Sequence, residues 1–67
     1  MTKLEASIEA QDALAAAKNA GVKDYALRIW SRAFYMDLER TPEFMAEAHL
    51  RRLQGRLNSE ISIARTR

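Results

Sequence analysis

The chain has 67 residues, with eleven Lys and Arg against nine Asp and Glu, 48% apolar residues and no cysteine. That length makes one domain near the lower limit for folding on its own core, and the apolar content argues against disorder. Without cysteine there are no disulfide staples, thiolate metal sites or cysteine catalysis, so well-packed helices or a second copy must supply stability, and a homodimer is expected.

No apolar run approaches the roughly 18 residues that span a bilayer. The start of the chain alternates charged with apolar residues, unlike a secretory signal, so the expected compartment is the cytoplasm with no membrane partner. Charge is unevenly placed: every Lys precedes Asp24, and every Arg follows it. The basic second half points to an acidic partner and falls short of a nucleic-acid footprint.

Helix 1 is expected over about residues 3–20. Thr2 followed by Glu5 matches a capping box, in which two side chains satisfy free N–H groups reciprocally. Leu4, Ile8, Leu14 and Ala15 share one face. Ala6, Ala10, Ala13, Ala17 and Ala20 form a second face, an alanine seam that permits close helix approach. That seam packs either inside the protomer or between two protomers. Gly21 is the natural left-handed residue after the helix, and the short link makes helices 1 and 2 antiparallel neighbours.

Helix 2 is expected over 24–40, capped by Asp24. Its apolar residues, among them Tyr25, Ile29, Trp30, Phe34 and Met36, cover more than half the circumference, so the helix should be central and covered from two sides. Arg28, Arg32 and Tyr35 lie on the narrow polar strip that remains. Arg and Tyr are types enriched at interface hot spots, and a rigid helix would present them well.

Helix 3 is expected over 42–64, with Thr41 as N-cap and Pro42 at the first helical position. Glu43 and Glu47 would favour its dipole, and Glu47–Arg51 and Arg56–Glu60 are possible one-turn ion pairs. Ala46, Leu50, Leu53, Leu57, Ile61 and Ala64 form its core stripe. Ala48, Gly55, Ser59 and Ser62 form a stripe of small residues, and Gly55 in mid-helix suggests another helix crossing there. At about 34 Å against about 25 Å for helix 2, helix 3 should overhang. A second chain covering that end would involve Gly55, Leu57, Ile61 and Ile63.

The chemistry-bearing residues are few. His49 is the only histidine, with no carboxylate one turn away, and is expected to be a solvated surface side chain. Nothing assembles a metal-ligand set or a phosphate loop, and a chain this small has little room for a substrate pocket. No catalytic residue, metal or cofactor is expected, and the chain reads as not an enzyme. Arg51, Arg52, Arg56, Arg65 and Arg67 crowd the end of the chain, with Gln54, Asn58 and Ser59 among them, which leaves DNA binding through Arg52 and Arg56 as an alternative.

From Gly21 the chain runs Gly21-x4-Ala26-x3-Trp30-x2-Ala33, a spacing that resembles the second-helix half of a tetratricopeptide hairpin. The same Ala26, Trp30, Ala33 pattern, followed by Arg51-Arg52, is similar to two groups of small enterobacterial and phage-borne helical regulators. These are the negative regulators of AraC-type activators and the plasmid-encoded-regulator C group. The resemblance implies a non-enzymatic regulator that contacts transcription factors or nucleoid proteins directly. In those groups a Trp often precedes the Arg of the final helix and a Cys follows it; here Met45-Ala46 precedes the pair and Cys is absent.

The expectation is therefore an all-α, single three-helix domain over residues 1–67, with helix 2 central, a long helix 3 and a dimeric state. Its function would be regulation or inhibition by binding another protein that carries an acidic patch, through Arg28, Arg32, Tyr35, Arg52 and Arg56. The alternatives are a DNA-binding transcriptional regulator and a structural or assembly protein.

Overall fold

The computed structural model describes residues 1–66. The fold is all-α, an up-down-up arrangement of α1 (Lys3–Asn19), α2 (Asp24–Arg40) and α3 (Ala46–Thr66), with a 3-10 turn at Glu43–Met45 leading into α3. Among the described residues there is no strand, and no helix is long and apolar enough to cross a membrane.

The first helix begins as its sequence dictates. The Thr2 hydroxyl accepts from the Glu5 N–H at 3.1 Å, and the Thr2 N–H donates to the Glu5 carboxylate at 2.9 Å. A further N-terminal donor is satisfied from across the molecule, because the Lys3 N–H donates to the Glu43 carboxylate at 2.8 Å. Glu43 therefore serves the positive end of α1 rather than that of α3. At the other end Gly21 takes φ 98°. The Val22 N–H reaches the Ala17 carbonyl and the Gly21 N–H that of Lys18, both at 3.1 Å. This pair of bonds closes the helix in a Schellman motif, with Val22 buried.

Two caps differ from expectation. Asp24 is the first residue of α2 rather than its cap; Lys23 holds that position and makes no side-chain capping bond. Thr41 closes α2 instead of opening α3: its hydroxyl donates back to the Asp37 carbonyl at 2.7 Å. Thr41 and Pro42 are both extended, as the residue before a proline favours, so the regular helix starts only at Ala46.

The core is built around Phe34. Trp30 stacks on it at 5.4 Å between centroids, His49 at 5.0 Å from another direction, and Tyr35 meets it edge-on at 5.0 Å. Leu50, Leu53 and Leu57 of α3 and Ala6, Ala10 and Ala17 of α1 complete it. The alanine seam of α1 is thus internal. α1 and α3 meet each other directly as well as meeting α2, so the bundle is three-sided. Small side chains let the α1 backbone approach closely, while Leu4 is left 71% exposed and Ile8 is also exposed.

Helix α2 packs against both α1 and α3 and supplies the aromatic centre of the core, but its apolar arc is wider than the part those helices cover. Tyr25, Ile29 and Met36 face outward, with Ile29 67% exposed. The small-residue stripe of α3, Ala48, Gly55, Ser59 and Ser62, is likewise exposed, and among the described residues nothing crosses the helix at Gly55. Nor does α3 overhang by a turn or two. Ala64 lies against the Gly21 turn, where a β-carbon added to Gly21 would sit 4.0 Å from that of Ala64.

Candidate functional site

The side of the molecule formed by α2 and α3 holds most of the residues of interest. The two helices run antiparallel and are pinned by two buried bonds to main-chain carbonyls. Trp30 Nε1–H donates to the Leu53 carbonyl at 2.6 Å, and His49 Nε2 meets the Phe34 carbonyl at 3.0 Å. A carbonyl oxygen only accepts, so Nε2 carries the proton in this bond. The other ring nitrogen of His49 faces Arg52 Nη2 at 3.4 Å. His49 is therefore not a solvated surface residue: it is 6% exposed, and both ring nitrogens are engaged within the fold.

Outside this pinned seam runs a groove of about 250 Å³, walled by Tyr25, Ile29 and Ala33 on α2 and by Leu53, Arg56 and Glu60 on α3. Trp30 also lines it. Further along the same pair of helices is a second depression of about 420 Å³, lined by Asp37, Arg40, Met45, His49 and Arg52 among others. The Tyr25, Ile29, Arg32 and Met36 positions recur at steps of four, three and four, which places them on one outward face of α2.

Apart from Arg51, the arginines of α2 and α3 have no carboxylate partner among the described residues. Among the described residues one ion pair is present, Arg51 to Glu9 at 2.9 Å, which joins α3 to α1 on another side. Arg51 also donates to the Gln54 side chain at 2.8 Å. The one-turn pairs Glu47–Arg51 and Arg56–Glu60 do not form. Arg28, Arg32, Arg52 and Arg56 are exposed and have no carboxylate within salt-bridge distance among the described residues.

Of the residues assigned to partner binding, four keep that availability and one does not. Tyr35 turns toward α1, half-buried, with its hydroxyl 3.4 Å from the Ser7 carbonyl. Tyr25 replaces it as the exposed tyrosine of α2, at 64% exposure. The Tyr25–Ile29–Met36 spacing was visible in the sequence, but their apolar character suggested core. Of the residues assigned to oligomerisation, Leu57 is fully buried in the chain's own core, Ile61 is half-buried, and Gly55 and Ile63 are exposed. Ser59 is not on a packing face; its exposed hydroxyl donates to the Gly55 carbonyl at 3.2 Å. Arg67 lies outside the described residues.

Among the described residues no group of three or more His, Cys, Asp or Glu side chains is placed to hold a metal ion. In comparisons with protein-family models, curated proteins and solved structures, none matches this chain. The likeness of the Ala26–Trp30–Ala33 pattern to tetratricopeptide hairpins and to the small helical regulators rests on those residues alone.

Proposed function

We propose that the chain is a small non-enzymatic regulator or inhibitor that acts by covering a surface of another protein. One observation carries this reading: an apolar groove between α2 and α3 and the exposed Tyr25, Ile29 and Met36 accompany exposed arginines of the same two helices that have no carboxylate partner among the described residues. Apolar side chains grouped beside unneutralised charge are costly to leave in water and become favourable when a complementary surface covers them. The mechanism is occlusion, with the apolar residues of α2 as anchors and Arg28, Arg32, Arg52 and Arg56 setting orientation and partner choice.

The test is affinity capture from lysate with the unaltered chain, Ile29→Glu and Leu4→Glu. Both substituted side chains are exposed, so neither variant disturbs the core. A protein retained by the unaltered chain and by Leu4→Glu, and lost with Ile29→Glu, supports the reading. Identical retention by all three places the binding surface elsewhere.

A second reading, DNA binding, draws on Arg52 and Arg56, which stand one turn apart on α3, exposed and without carboxylate partners among the described residues. It predicts co-sedimentation with a DNA duplex that weakens steeply as salt rises, and a shallower salt dependence for Arg52→Ala with Arg56→Ala.

A further inference from the structure

The three helices are not held alike. The buried residues of α2 are Trp30, Phe34 and Leu38, and those of α3 include His49, Leu50, Leu53 and Leu57. The buried residues of α1 are Ala6, Ala10 and Ala17, with Ala13 and Leu14 partly buried beside them. We infer that α1 is a hinged cover, which opens as a unit about the Gly21 turn while the α2–α3 pair stays folded.

Between α2 and α3 large side chains interlock. His49 stacks on Phe34 from across the seam, and Trp30 and His49 each bond a main-chain carbonyl of the opposite helix. Parting these helices would withdraw a buried ring and leave two buried donors without partners. The backbone of α1 comes close to the pair, yet its fully buried side chains are methyl groups. Alanine removes little apolar area from water, and α1 can lift away without a large side chain leaving a socket.

The polar links of α1 lie toward the surface. Arg51 meets Glu9 at 2.9 Å, the Lys3 N–H donates to Glu43 at 2.8 Å, and Lys3 Nζ donates to the Glu39 carbonyl at 3.3 Å, all exposed. The Tyr35 hydroxyl donates to the Ser7 carbonyl at 3.4 Å and is part-buried. Water can replace each of these partners, so breaking them costs little.

The ends of α1 differ. At the Gly21 turn, Ala17 and Val22 are buried and Ala64 lies close by. At the start of the helix Leu4 and Ile8 face water, and the Lys3 bonds supply the hold. The Lys3 end therefore separates first and the turn acts as the pivot. Phe34, Leu50 and Leu57 are fully buried, and two helices alone enclose no interior, so α1 completes their enclosure. Its opening brings that face to solvent, with access governed by bonds at the surface.

The experiment is native-state hydrogen exchange of the full chain, read amide by amide by NMR, in urea below the unfolding transition. Protection of the slowest α1 amides should be about tenfold or more lower than that of the slowest in α2 and α3. It should also depend less on urea, because less surface is exposed in the opening. Trp30→Phe deletes the bond to the Leu53 carbonyl, which is present whether α1 is closed or open. It should speed the slowest amides of α2 and α3 and leave those of α1 unchanged. Protection and urea dependence equal in all three helices, or greatest in α1, overturn the inference. So does a Trp30→Phe variant that speeds all three alike, since the bundle then opens only as a whole. Where that variant is too unstable to fold, the rates and urea dependence of the unaltered chain decide.

Discussion

The imidazole of His49 stacks on the ring of Phe34 while its Nε2 bonds the Phe34 carbonyl at 3.0 Å, so one side chain of α3 holds both the face and the backbone of the central aromatic of α2. Removing it deletes a buried ring and a buried donor together. His49→Ala is expected to cost roughly 2–4 kcal/mol, measured by urea unfolding. His49→Phe, which keeps a ring against Phe34 but cannot donate, should lose less. If the alanine variant were as stable as the parent, His49 would not be a core residue.

The alanine seam makes the opposite kind of prediction. Ala10 is fully buried between helices, so Ala10→Leu forces α1 away from the bundle and should destabilise by roughly 1–3 kcal/mol. Leu4→Ser, on the exposed face of the same helix, should change stability by no more than about 0.5 kcal/mol. The reverse order of effects in thermal unfolding would mean that α1 packs through its leucine face.

Gly55 is exposed within α3, and an added β-carbon would meet nothing within 4 Å. Gly55→Ala should therefore stabilise by about 1 kcal/mol through helix propensity alone. In a domain of this size that raises Tm by about 4–8 °C. A lower Tm would reveal a close neighbour at this position.

At the start of α1, the Thr2 N–H and then the Thr2 hydroxyl hold the Glu5 carboxyl below the usual carboxylate range. A depressed folded-state pKa stabilises the fold above the unfolded value, and this contribution is lost as pH falls through the folded value. Glu5→Gln, which removes the charge and leaves the Thr2 hydroxyl cap in place, should thus lower stability at neutral pH. Its deficit relative to the parent should shrink as acid protonates Glu5 in the parent, which unfolding midpoints measured from neutral pH downward would show. A deficit independent of pH would mean that the Glu5 charge does not stabilise the start of α1.

Much of the local structure was legible in the sequence because its causes are local. The Thr2–Glu5 box, the left-handed Gly21, the limits of α2 and the Ala46-to-Ala64 stripe each depend on residues within a turn or two of one another. Where prediction failed locally at Thr41, a competing short-range interaction won, since its hydroxyl bonds the preceding helix; at Asp24 the helix simply begins one residue earlier than a cap there requires, with Lys23 in the cap position.

The candidate site was legible only in its ingredients. Helical spacing put Tyr25, Ile29 and Met36 together and placed Arg52 one turn from Arg56, yet an apolar group on a helix reads as core until its neighbours are known. The same limit explains α1, whose apolar residues surround the helix and mark no single face. Only close approach of backbones decided that Ala6, Ala10 and Ala17 go inward and Leu4 and Ile8 outward. His49 became a core residue because the Phe34 carbonyl, distant in sequence, satisfies its ring nitrogen inside the bundle. The sequence by itself determined the start of α1, the Gly21 turn and the extent of α2, since capping, glycine geometry and periodicity act over a few residues. Which faces are buried, which arginines lack carboxylates and where a groove remains open were decided by tertiary packing, because those properties belong to pairs of residues that the chain brings together only when folded.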